Sequence, residues 1–237
     1  MRKVAKLSWV IIVITLLIFS NVTTAQSIMG YNGLFRIPTA TKNHDSEVQI
    51  GMYFVGKQIS VVNNGVNNNF RNFISINFLP FLEVNLVLNN LINSDEAEQA
   101  IGDRQSSFRI ILTDLGMLPN IAFGVYDALG SLEKGGVHSD FSYLVCSRII
   151  PFSTELDLEI SAGYASPIYN DYNTGLKGFL AGICFKLFDQ VEIFCEYDSK
   201  YYNTGARLRF FDHLILIGGF NQMKYFSGGI GYYFNLN

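Results

Sequence analysis

The chain has 237 residues, 49% of them hydrophobic and 16% charged, with a formal net charge of −3. Its first 25 positions hold three basic residues and no acidic one, so the remainder stands at −6, which argues against nucleic acid as a main partner. Beyond those positions no stretch is apolar enough for a spanning helix, so an integral membrane form has to be a β-barrel.

In chain order, Arg2, Lys3 and Lys6 precede an apolar run from Val10 to Phe19, and Asn21 to Ala25 closes on small residues. This is the layout of a Sec signal peptide cut before Gln26, giving residues 1–25 as the leader. The rival reading is an uncleaved anchor, for which the apolar core is short of the roughly 18–20 residues a bilayer needs. Residues 26–46 read as a periplasmic or plug segment, and 47–237 as the barrel.

From Glu47 onward the chain repeats one pattern, about ten residues of period-2 alternation and then a break. Val48, Ile50, Met52 and Phe54 alternate with Glu47, Gln49, Gly51 and Tyr53; Ile74, Ile76 and Phe78 with Arg71, Ser75 and Asn77. Leu82, Val84, Leu86 and Leu88 alternate with Glu83, Asn85 and Val87. Further strands are predicted at 104–112, 120–128, 140–149, 154–164, 178–186, 190–198, 202–210, 214–221 and 225–236. The expected fold is all-β, an up-and-down antiparallel transmembrane barrel of about 12 strands, within a range of roughly 10–14. Breaks at 79–81, 150–153, 187–189 and 211–213 are short, while those at 56–69, 89–103, 129–140 and 165–177 are long and polar. Alternating short and long connections fit brief periplasmic turns and longer outer loops. Phe78, Phe81, Phe152, Phe188, Phe210 and Phe211 flank the short turns as an interfacial girdle, and Tyr126, Tyr143, Tyr164 and Tyr197 lie nearer the other end.

Charged strand residues take the parity opposite the aliphatic one, and an ion on the lipid face costs a few kcal/mol at mid-bilayer. Glu83, Arg109, Arg148, Asp157, Glu159, Glu192, Glu196, Arg207 and Arg209 are therefore expected to face the lumen. With a tight loop between 190–198 and 202–210, positions summing to about 401 oppose each other, which sets Glu192 against Arg209 and Glu196 near Gly205. Such pairs serve either as packing of a filled interior or as a polar pathway. Cys146, Cys184 and Cys195 are an odd count without metal-ligand spacing and read as free, shielded thiols.

Two ends of the chain carry a family likeness. Gly30-Tyr31-Asn32-Gly33-Leu34-Phe35-Arg36-Ile37-Pro38-Thr39-Ala40, then Glu47 to Tyr53, resembles the entry and first strand of the YjbH-like family of outer-membrane exopolysaccharide proteins. Glu196-Tyr197-Asp198 and Asn203-x-Gly205-x-Arg207 resemble that family's paired strands near the end, and Pro119 to Arg148 matches more loosely. The chain corresponds to a single-barrel, short version. The likeness implies a role in producing, exporting or assembling a surface polysaccharide or capsule, with polysaccharide and export components as partners and no defined chemical step. The motif residues it marks are Gly33, Leu34, Pro38, Thr39, Ala40, Glu196, Tyr197, Asp198, Asn203, Gly205 and Arg207. Locally, Pro38 stiffens the approach to the first strand, Gly33 allows a turn, Asp198 and Asn203 suit hairpin ends, and Gly205 leaves room in the lumen. Gly231 to Leu236 resembles the assembly signal of a final barrel strand, although the chain runs on to Asn237, and implies contact with the barrel-assembly machinery beside outer-membrane lipids.

Catalysis is not expected. His44 and His138 sit next to Asp45-Ser46 and Ser139-Asp140, but adjacent residues point apart and form no triad; His213 lies in a short turn. No spacing suggests zinc, and no phosphate loop follows a strand, so neither a metal nor a cofactor is expected. The alternatives to a polysaccharide role are a generic small porin-like or structural barrel, and a surface adhesin using Asn63 to Asn69.

Overall fold

The computed structural model describes residues 26–42, 45–56, 61–62, 65–66, 68–92, 103–112, 118–129, 139–168, 175–188, 190–211 and 213–236. The expected leader at 1–25, His44, His138 and residues 63, 64 and 67 of the Asn63–Asn69 stretch lie outside them. The strands are β1 Glu47–Val55, β2 Val61–Val62, β3 Gly65–Val66, β4 Asn68–Leu79, β5 Leu82–Ile92, β6 Asp103–Ile111 and β7 Asn120–Tyr126. There follow β8 Phe141–Ser153, β9 Leu156–Pro167, β10 Gly178–Leu187, β11 Val191–Tyr197, β12 Tyr202–Phe210, β13 Leu214–Asn221 and β14 Tyr225–Asn235. β2 and β3 form a small hairpin of their own within the first long connection. The other twelve close into a barrel in which each strand pairs antiparallel with its chain neighbours. Closure comes from β1 meeting β14, Glu47 opposite Asn235 through Phe54 opposite Gly228. Closure leaves no free edge, which a sheet in hydrocarbon requires.

The period-2 pattern then sorts side chains between lipid and lumen. On the outside, Ile183 and Ile193 are 42% and 49% exposed; on the inside, Arg109 and Arg207 are each 1% exposed. A water-soluble fold does the reverse. Ile50, Met52, Ile74, Val84, Leu86, Leu88, Leu208 and Leu216 continue the outer apolar belt. Phe78, Phe81, Phe152, Phe188, Phe210 and Phe211 are all exposed and ring the short-turn end. The chain is thus a transmembrane β-barrel of the outer-membrane type. At the other end the tyrosines divide. Tyr164 and Tyr197 are on the outer face, whereas Tyr126 and Tyr143 are buried in the lumen.

The lumen is filled by residues 26–42. Ile28, Phe35, Ile37 and Ala40 are fully buried, with Met29, Tyr31 and Leu34 nearly so. Tyr31 meets Tyr126 edge-on at 5.5 Å and Tyr143 at 6.0 Å, and Phe35 packs on Phe194 at 5.8 Å. The apolar core of this protein is therefore the contact between the barrel's inner wall and its own N-terminal segment.

Candidate functional site

The site is the polar clasp that holds this segment. It starts from a tight turn at Leu34 to Ile37, closed by Leu34 N donating to the Ile37 carbonyl at 3.0 Å and by a bridge between Gly33 and Pro38. A Cβ on Gly33 would lie 2.3 Å from the Ile37 carbonyl oxygen, so the glycine serves the close approach of two backbones. The turn aims three consecutive N–H groups outward. They meet the Glu196 carboxylate on β11: Phe35 N and Ile37 N donate to Oε2 at 3.0 and 3.2 Å, and Arg36 N to Oε1 at 2.9 Å. Successive backbone N–H groups make an anion cradle, here occupied by a wall side chain.

Arg207 on β12 grips the other polarity. Its Nη2 donates to the carbonyls of Gln26, Gly33 and Leu34 at 3.1, 2.9 and 2.8 Å, and its Nη1 pairs with Glu192. The guanidinium also lies 5.4 Å from the Phe194 ring centroid, and a Cβ on Gly205 would come within 2.7 Å of that ring. Gly205 therefore makes room for Phe194. The Arg36 side chain pairs with Asp198, and Asn203 Nδ2 donates to Glu196 at 3.0 Å and to Asp198 at 3.1 Å. Charge-assisted bonds of this kind are worth about 1.5–3 kcal/mol each.

Two further anchors complete the ring of contacts. Arg109 on β6 pairs with Glu83 at 2.8 Å and donates to the carbonyls of Thr39 and Thr41 at 2.7 and 2.9 Å. Glu83 in turn accepts from Asn32 N at 2.9 Å. On the facing wall Ala40 N donates to Ser147 Oγ at 2.8 Å, and Thr41 Oγ1 to Glu159 at 2.5 Å, while Glu159 pairs with Lys186 at 2.8 Å. A cavity of about 10 Å³ remains beside Thr39, Glu159, Lys186 and Glu192, room for about one water.

Of the eight charged residues expected in the lumen besides Glu83, Arg109, Glu159, Glu192, Glu196, Arg207 and Arg209 are buried there, and Asp157 is half-buried on the same parity. Arg148 is a correction. The inward residues of β8 are Phe141, Tyr143, Val145 and Ser147, and Arg148 is exposed on the outer face. It lies one step beyond the Asn120–Ser147 pair where β7 begins, opposite Ile160 of β9, and its long guanidinium can run along the wall toward the lipid headgroups.

The hairpin register is a second correction. Opposed positions sum to 399, so Glu192 faces Arg207 and Glu196 faces Asn203. Asp198 closes the loop early by accepting from Lys200 N and Tyr201 N at 3.2 and 2.8 Å, with Ser199 at φ 76°. Arg209 still reaches Glu192, diagonally, at 2.5 Å. Among the motif residues, Gly33, Leu34, Pro38, Thr39 and Ala40 belong to the lumen segment, and Glu196, Asp198, Asn203, Gly205 and Arg207 to the wall that holds it. Tyr197 points outward against Tyr202, with ring centroids 5.1 Å apart.

Sequence reasoning missed Arg36, Glu83 as an anchor, Asn32 and Ser147. Arg36 had a signal, being the one charge inside an otherwise uncharged motif; Ser147 had none. Cys184 is buried in the lumen and Cys146 and Cys195 are half-buried, all as free thiols. His213 sits against Tyr232 and Tyr233, with Nδ1 3.1 Å from the Tyr233 carbonyl. Among the described residues, no group of three or more His, Cys, Asp or Glu side chains could hold a metal ion.

No family model and no curated protein matches the chain. Among solved structures it is similar to a designed transmembrane β-barrel, at 10% identity and a TM-score of 0.23, covering 82% of this chain and 100% of that one. It is also similar to Ail, the attachment invasion locus protein of Yersinia pestis, crystallised with the heparin analogue sucrose octasulfate. That match has 13% identity and a TM-score of 0.20 and covers 81% of this chain and 100% of that one.

Proposed function

We propose that the protein works in the outer membrane of a Gram-negative bacterium, after Sec-dependent export, in producing, exporting or assembling an exopolysaccharide or capsule. Its N-terminal segment keeps the lumen closed at rest. One observation carries the reading. The two stretches on which the likeness to the YjbH-like family rests are far apart in sequence, yet they meet in the lumen, where Glu196 and Arg207 hold the turn at 33–37. Both halves of the likeness thus belong to one physical device. A passive porin needs a water-filled lumen, whereas here the segment at 26–42 is packed inside the barrel, with Ile28, Phe35, Ile37 and Ala40 fully buried. Polysaccharide and export components are the partners that follow, and no residue is assigned a catalytic step.

Deletion of the gene tests this. Loss of capsule or biofilm matrix, restored by the parent gene, is the expected result. Intact polysaccharide with altered permeability alone would place the protein among generic porin-like barrels, and loss of attachment alone among adhesins.

A further inference from the structure

The long-loop end of the barrel carries a device that repeats on three consecutive hairpins, and the lumen clasp does not use it. On β9–β10, Tyr164 and Phe179 are directly opposed on the outer face, and Lys177 stands exposed beside them. On β11–β12 the opposed pair is Tyr197 and Tyr202, with Lys200 exposed above and its Nζ 5.1 Å from the Tyr201 ring centroid. On β13–β14 it is Phe220 and Phe226, with Lys224 exposed and its Nζ 5.0 Å from the Tyr225 centroid. Lys177 N donates to Ser199 Oγ at 3.4 Å, which ties the first two loops together. Neighbouring hairpins on a barrel rim lie about 10 Å apart, so the three ammonium groups line one arc. Asp127, Asp140 and Asp198, at this end, are buried.

An outward aromatic pair marks the boundary between hydrocarbon and headgroups. A lysine beside it, held over a tyrosine face in the second and third hairpins, presents its charge at headgroup height. We propose that these three hairpins form a docking surface for a phosphorylated glycolipid of the outer leaflet, the aromatic pairs covering its upper acyl and sugar portions and Lys177, Lys200 and Lys224 meeting its phosphates. The surface rests on the long connections facing the outer leaflet and is independent of any polysaccharide role. Three separate lysine contacts at a membrane surface amount to roughly a 100-fold effect on affinity.

Native mass spectrometry of the full chain in mild detergent tests it, with bis-phosphorylated lipid A, the same lipid with both phosphates removed, and phosphatidylglycerol as probes. Lipid A should bind the parent protein and outcompete the other two. The variant K177Q/K200Q/K224Q should lose about 100-fold in affinity while keeping the parent's heat-modifiable shift on a gel, and K177R/K200R/K224R should retain binding. Equal binding of the dephosphorylated lipid or of phosphatidylglycerol, competition by millimolar inorganic phosphate, or undiminished binding by the glutamine variant would overturn the proposal.

Discussion

Glu196→Gln isolates the clasp because it keeps shape and removes acceptors. Oε1 of Glu196 takes Arg36 N and Asn203 Nδ2, and Oε2 takes Phe35 N and Ile37 N. Whichever way a glutamine turns, one pair of N–H donors then faces an NH₂ group. Two charge-assisted bonds are lost, about 3–6 kcal/mol at 1.5–3 kcal/mol each, with the remaining two weakened. The open population of the segment should rise roughly 100- to 10,000-fold, since 1.4 kcal/mol is about a factor of ten. Trypsin reads this directly, because Arg36 is buried in the closed state and its peptide bond is cut only when the segment leaves the lumen. With closing faster than cleavage, the cutting rate follows the open population. The barrel itself should keep its heat-modifiable shift. Cleavage at Arg36 no faster than in the parent, with the barrel folded, would refute the assignment of Glu196 as the clasp.

Gly182→Leu should also free the segment, since even a Cβ there would lie 2.5 Å from Leu34 Cδ1 and 2.8 Å from Ile37 Cδ1; overpacking of about 1–3 kcal/mol should appear as trypsin sensitivity at Arg36 in a folded barrel. Arg209→Glu sets a second carboxylate beside Glu192 and breaks a buried pair, a loss of about 3–5 kcal/mol; urea unfolding in vesicles should show it, and an unchanged midpoint would remove Arg209 from the lumen network. Arg148→Leu should change barrel stability by less than about 0.5 kcal/mol in the same assay and leave Arg36 protected, whereas a large loss would return Arg148 to the lumen.

The alternation in β1, β4, β5 and β9 made the strand count and the lipid-facing set legible, because lipid and lumen impose opposite polarity on successive residues. Arg148 escaped that rule because β8 runs past the start of β7, where a long guanidinium can run along the wall toward the headgroups. The Glu192 register was two residues out because the Asp198 side chain shortens the loop, a contact that spacing alone does not reveal. Less legible still was the clasp. Glu196 binds backbone N–H groups 159 to 161 positions away, and main-chain donors leave no mark in composition. Strand parity placed Glu196 and Arg207 in the lumen and the family likeness marked them again, but neither said what they hold.

The central claim is that residues 26–42 occupy the lumen in the native membrane. Ala40 N lies 2.8 Å from Ser147 Oγ, so the pair Ala40→Cys and Ser147→Cys, in a chain with Cys146, Cys184 and Cys195 changed to Ser, places two thiols against each other. Oxidation in intact membranes should yield an internal disulfide that protects Arg36 from trypsin. Two free thiols, with the one introduced at position 40 open to a membrane-impermeant maleimide, would contradict it.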